Sequence, residues 1–196
     1  MSPRIAGWIV AIALLPLAAC TQPVAQERAI TETITVKANL NDVWNAWTTS
    51  DGIKTFFAPD AKVEARAGGP FEIYMDPGAA PGMKGADDMV FLAVQPKKMI
   101  SFTWNAPPSL PEARKQRTVV VVRFVPRGDT LTEVSLYHTG WGEPAADNEW
   151  GKAYDYFAKA WPGVLKNLKK RFDDGPVDWK PWLDRLEQMR KAQPSK

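Results

Sequence analysis

The strongest constraint on this chain is an apolar stripe near its C-terminus. Trp150, Tyr154, Phe157, Trp161, Leu165, Leu168 and Phe172 recur every three or four residues, which predicts a helix of about six turns with one sticky side. Such a helix gains most of its stability from the surface it covers. Pro162 falls inside the stripe; it removes one backbone donor and is expected to kink or break the helix. Asp147 is a plausible cap at its start.

The segments before the stripe supply the surface. Residues 30–37 alternate, with Ile30, Glu32, Ile34 and Val36 on one side and three threonines on the other, the pattern of a first strand. Glu32 spoils the apolar side and is expected near the strand's exposed start. Asn39 can cap a helix that begins at Leu40, with Val43, Trp44 and Trp47 on its apolar side. A short second helix is expected over residues 53–57, before Pro59. Six strands follow, at about 62–67, 71–75, 89–94, 99–104, 118–125 and 131–138. Val90, Leu92 and Val94 read as the apolar set opposite Ile100, Phe102 and Trp104. The segments "DPGAAPGMKGADD" (76–88) and "NAPPSLPEARKQ" (105–116) are long loops, and loops of that length are often lids or mouths. After "DDGP", Asp178 can cap a last helix over residues 179–192, with Trp182, Leu183, Leu186 and Met189 on one side.

One strand, two short helices, six strands in hairpins and one long helix make an α+β chain, not an alternating βαβ one. A curved antiparallel sheet closed by the helix would enclose a space. His138 is the only histidine. Arg123 and Glu133 mark the polar faces of the last hairpin, so parity places Val134, Leu136 and His138 on the inner face. Three readings stay open for His138: a structural hydrogen bond, a polar contact to a ligand, or a base working near neutral pH. No visible partner orients it for catalysis.

Composition removes several function classes. The net charge is +3 with no basic stripe, which gives no nucleic-acid footprint. One histidine and one cysteine exclude His- or Cys-rich metal sites, and no phosphate loop, nucleophile elbow or dinucleotide fingerprint is present. No metal, cofactor or catalytic set is expected. Asp87–Asp88 and Asp173–Asp174 read as solvated turn residues.

The N-terminus reads as a targeting segment. Arg4 precedes the uncharged run "IAGWIVAIALLP", too short for a membrane span of about 20 residues. "LAAC", residues 17–20, resembles the bacterial lipoprotein signal. The resemblance implies cleavage before Cys20, lipid on its sulfur and an anchored mature chain; Thr21 in place of aspartate goes with the outer membrane, facing the periplasm. Residues 1–19 would be the signal, 20–29 a tether, 30–172 the domain and 173–196 an extension.

The pieces "DVWNAWTTSDGIKTFFAP" (42–59), "GGPFEIYM" (68–75), "VFLAVQPKKMISFTW" (90–104), "TLTEVSLYHTGW" (130–141) and "AWPGVLKNLKKRF" (160–172) together resemble the START-like (SRPBCC) superfamily. Within it they are similar to the domain related to the activator of Hsp90 ATPase. The resemblance implies a helix-grip fold: a curved seven-stranded antiparallel sheet around the C-terminal helix, with two small helices after the first strand. It also implies an apolar cavity between sheet and helix. The candidate lining is Trp47, Phe56, Phe71, Met75, Phe102, Trp104, His138, Trp141 and Trp161, with Phe57 beside Phe56 at the rim. The expected role is an envelope-anchored binding protein for a small apolar or amphipathic ligand. The alternatives are a cyclase- or lyase-like enzyme using His138, Tyr74 or Tyr137, and an interaction protein that docks through the extension. A leader that exports the domain argues against a cytoplasmic chaperone partner.

Overall fold

The computed structural model describes residues 28–143, 145 and 148–192. The leader, Cys20, most of the tether and Asp147 lie outside the described residues. The element order is β1 (Ile30–Val36), α1 (Leu40–Thr48), α2 (Ser50–Lys54), β2 (Asp60–Val63), β3 (Phe71–Tyr74), β4 (Gly85–Ala86), β5 (Phe91–Gln95), β6 (Met99–Trp104), α3 (Pro111–Arg114), β7 (Thr118–Pro126), β8 (Thr132–Thr139), α4 (Trp150–Asp174) and α5 (Lys180–Ala192).

The architecture is α+β with eight strands among the described residues, rather than the seven expected. They form a five-stranded sheet of order β1-β8-β7-β6-β5 and a three-stranded sheet of order β2-β3-β4; every pairing is antiparallel. The sheets are stitched where Phe71 N donates to the Met89 carbonyl (2.8 Å) and Phe91 N to the Gly69 carbonyl (2.9 Å). The extra strand is β4, inside the 76–88 segment whose composition predicts a loop. Gly85 permits it: its φ is 151°, and an added Cβ would lie 2.5 Å from the Ile73 carbonyl oxygen, closer than real atoms approach. No alternation marks a two-residue strand, so its pairing with β3 is a tertiary event.

Local chemistry sets the helix starts. Asn39 Oδ1 accepts from Asp42 N at 3.0 Å, the expected cap of α1. α2 begins at Ser50, earlier than expected, because Thr49 Oγ1 accepts from Gly52 N at 2.9 Å. Val43, Ala46, Trp47 and Ile53 from these helices are buried. Asp178 Oδ1 accepts from Lys180 N at the start of α5.

The β7–β8 hairpin follows the expected parity: Val120, Val122, Phe124, Val134, Leu136 and His138 are all buried. β5 does not. Its pairing with β6 shifts register between Phe91 and Ala93, which sends Phe91 inward and leaves Leu92 46% exposed. A bulge breaks the period of two, and the apolar residues on both sides of this strand hid it.

α4 runs unbroken from Trp150 to Asp174 through Pro162. The proline is on the exposed side, where the Ala158 carbonyl that loses its partner can meet water. Ala153, Phe157, Trp161, Leu165 and Leu168 are buried on the other side, and α4 lies along β1. The Tyr154 hydroxyl donates to the Ala29 carbonyl at 3.1 Å.

The extension folds back on its own domain. Val177 N donates to the Thr55 carbonyl (2.9 Å), Trp179 Nε1 to the Lys54 carbonyl (2.6 Å), and Trp182 Nε1 to the Met75 carbonyl (2.7 Å). Leu186 is buried, while Trp182, Leu183 and Met189 keep exposed surface.

Candidate functional site: an apolar cavity beside a closed histidine

A cavity of about 220 Å³ opens between the N-terminal half of α4 and the three-stranded sheet. Tyr156, Phe157, Ala160, Trp161 and Val164 form its helix wall, Ile73, Met75, Gly85 and Ala86 its sheet wall, and Phe57 and Trp104 its floor. Three of the lining residues, Ala160 on α4 and Gly85 and Ala86 on β4, have little or no side chain to fill the space. At about 30 Å³ per water the volume equals roughly seven waters, a space for a small molecule. Met83 and Tyr156, each about half exposed, border it together with Lys84, Asp76, Pro107 and Pro108.

An ion pair holds the Gly82–Asp87 side of the loop mouth. Arg114 donates to the carbonyls of Ala106, Gly82 and Gly85 and reaches Asp87 Oδ2 at 3.2 Å. Asp87 also accepts from Gly82 N (2.9 Å) and Gly85 N (3.0 Å). Asp87 is therefore buried and structural, not the solvated turn residue expected of it; Asp88 is the exposed one. Burial lowers the Arg114 pKa, and the Asp87 charge opposes that shift. A second depression of about 260 Å³, lined by Arg114, Lys115, Arg117, Asp87 and Asp88, adjoins the first through Met83, Asn105 and Pro108. Its cations are already engaged by Asp87, Glu112 and backbone carbonyls.

Three of the nine aromatic, methionine and histidine candidates line the cavity: Met75, Trp104 and Trp161. The other six stand behind it. Trp47 and Phe56 pack on each other, with ring centroids 5.1 Å apart. Phe71 and Phe102 pack at 4.0 Å, and both are buried. Trp141 covers His138, with centroids 4.2 Å apart. The cavity residues that pattern-reading passed over are Ile73, Ala86, Tyr156, Ala160 and Val164. A signal for the last three was present: they repeat at a spacing of four beside Phe157 and Trp161.

His138 is fully buried and closed at both ring nitrogens. Trp161 Nε1 lies 2.8 Å from Nδ1, and Thr118 Oγ1 lies 2.7 Å from Nε2. An indole N–H only donates, so Nδ1 accepts and the neutral ring carries its proton on Nε2, facing Thr118. The threonine hydroxyl in turn donates to the Trp104 carbonyl at 3.2 Å. Burial drives the imidazole pKa from 6.5 down to about 3. This is a latch between α4 and β8, set behind Trp161 and away from the cavity.

The two tyrosines offer no free acid or base. The Tyr74 hydroxyl donates to Glu72 Oε2 at 2.9 Å, and burial, then that carboxylate, raise its pKa. Tyr137 is 39% exposed on the outer face of β8. Among the described residues no group of three or more His, Cys, Asp or Glu could hold a metal ion.

A Mesorhizobium loti protein of known structure is 22% identical, with 76% of this chain and 100% of that one covered and a TM-score of 0.60. CalU16 from Micromonospora echinospora is 22% identical over 87% of this chain and 88% of its own, with a TM-score of 0.56. An Hsp90 activator from Plasmodium falciparum is 16% identical over 76% of this chain and 97% of its own, with a TM-score of 0.55. At such identities the likeness shows a shared fold. No curated protein matches the chain. Residues 37–173 match the family described as Activator of Hsp90 ATPase homolog 1-like protein, and the chain belongs to that family.

Proposed function

We propose that the domain binds a small apolar or amphipathic molecule in the cavity between α4 and the β2-β3-β4 sheet. The observation that carries this reading is the cavity itself, about 220 Å³ and lined chiefly by aromatic, aliphatic and methionine side chains. A ligand hiding about 200 Å² of apolar surface gains roughly 5 kcal/mol before the cost of association. The few polar side chains of the lining, Lys84, Asp76 and Tyr156 with the buried Asn105, suit a molecule with one polar end. Binding is favoured over turnover, because the histidine is latched and both candidate tyrosines are engaged or turned outward. The lipoprotein-like stretch "LAAC" at residues 17–20 supports a site of action in the cell envelope, on a lipid anchor at Cys20.

The test is a titration of tryptophan fluorescence with 1-anilinonaphthalene-8-sulfonate, followed by native mass spectrometry for a co-purified small molecule. Val164→Trp fills the cavity from the α4 side. Saturable dye binding that disappears in this variant supports the reading. Equal binding by the two proteins would falsify it.

A further inference from the structure

We propose that the C-terminal extension is a strap that holds one rim of the cavity shut, so that Arg190 and Trp182 set how fast a ligand leaves. This rests on the binding reading above. Met75 and Asp76 line the cavity, and α5 ties down both. Trp182 Nε1 donates to the Met75 carbonyl at 2.7 Å. Two turns later, Arg190 Nη1 meets both oxygens of Asp76, at 2.7 and 3.0 Å. Between them Leu186 is buried, so positions 182, 186 and 190 form one docking side.

The segment being held leaves β3 at Tyr74 and returns only at Gly85. Arg114 and Asp87 hold its far end, at Gly82 and Gly85; the strap holds its near end, at Met75 and Asp76. Its backbone is closed by Asp76 N donating to the Lys84 carbonyl (2.8 Å) and Ala79 N to the Asp76 carbonyl (3.1 Å). Gly78 gives Arg190 room to lie against this turn: a Cβ there would sit 3.1 Å from Nη2. Asp76 Oδ1 also accepts from Gly78 N at 3.1 Å, so one carboxylate both shapes the turn and receives the strap. The family match ends at residue 173, so every strap residue lies beyond it and the strap belongs to this chain's own extension.

Arg190 and Trp182 are positioning residues. Neither lines the cavity; they act by restraining Met75 and Asp76. An exposed ion pair contributes little to global stability, but here it bridges a long connection to a docked helix, where local opening rather than global unfolding is the relevant event.

The experiment uses the full chain with Arg190→Ala and Arg190→Lys. Hydrogen exchange of residues 76–86 is read by mass spectrometry, and release of 1-anilinonaphthalene-8-sulfonate by stopped flow. In R190A, exchange and dye release should both accelerate about tenfold, with the association rate changed less. R190K should recover most of the loss. Unchanged exchange and release in R190A would overturn the strap. Dye that fails to bind the unmodified chain, or that binds V164W equally, would sink the cavity reading instead; the exchange data then judge the strap separately.

Discussion

The indole N–H of Trp161 donates to Nδ1 of His138 across 2.8 Å, pinning the middle of α4 to the end of β8. The bond joins the one long helix to the large sheet by a buried polar contact. Because Nε2 is also taken by Thr118, both ring nitrogens are satisfied, as buried polar atoms require.

Trp161→Phe should therefore cost more stability than Trp104→Phe. The first leaves a buried imidazole nitrogen without a donor, a penalty of about 1–3 kcal/mol. The second removes an indole nitrogen that has no hydrogen-bond partner. Both changes lose similar aromatic area, so the difference isolates the hydrogen bond. Urea unfolding midpoints compare them; equal losses would contradict the latch.

Acid should weaken the fold through His138. Its pKa is about 3 when folded, against an ordinary 6.5. Between those values the unfolded chain binds one more proton than the folded one. Stability is then flat above pH 6.5 and falls as pH drops toward 3, by up to about 1.4 kcal/mol per unit. His138→Gln should remove the slope between pH 6.5 and 5, where few carboxylates titrate. A slope retained in that variant would exclude the histidine as its source.

Arg114→Ala should loosen the mouth. The guanidinium joins residues 82–87 to Ala106, and its loss leaves Asp87 buried without its cation. A loss of about 2–3 kcal/mol is expected, with faster hydrogen exchange at residues 82–88. Protection there equal to that of the unmodified chain would show that the Asp87 backbone bonds suffice.

Pro162→Ala should stabilise the protein. The proline is exposed within a continuous helix, and alanine restores the missing donor to the Ala158 carbonyl. A gain of about 1 kcal/mol is expected, less than the full helix-interior penalty of about 3 kcal/mol, because the exposed proline is already accommodated without a break in the helix. Thermal unfolding reads the gain; a lower midpoint would mean the helix bends there by design.

Much of the fold was legible because it depends on period and on local chemistry. The α4 stripe, the Asn39 cap, the β7–β8 parity and the inward placement of His138 each follow from spacing along a single element. What failed did so where one element alone is ambiguous. Phe91 and Leu92 are both apolar, so only the bulge against β6 decides which turns inward. Asp87 looks like any turn aspartate until Arg114, which follows it by 27 residues, arrives beside it.

The candidate site was legible as a set of residue types and not as a place. Met75, Trp104 and Trp161 reach the cavity, while Phe71, Phe102 and His138 have the same character and pack behind it. Sequence by itself determined which faces are apolar, because the helical and strand periods are written into the chain. Only the tertiary structure decided where large side chains meet and which residues of α4, β3 and β4 border a gap between them. A cavity is a mismatch of volumes between distant segments, and no local pattern encodes it.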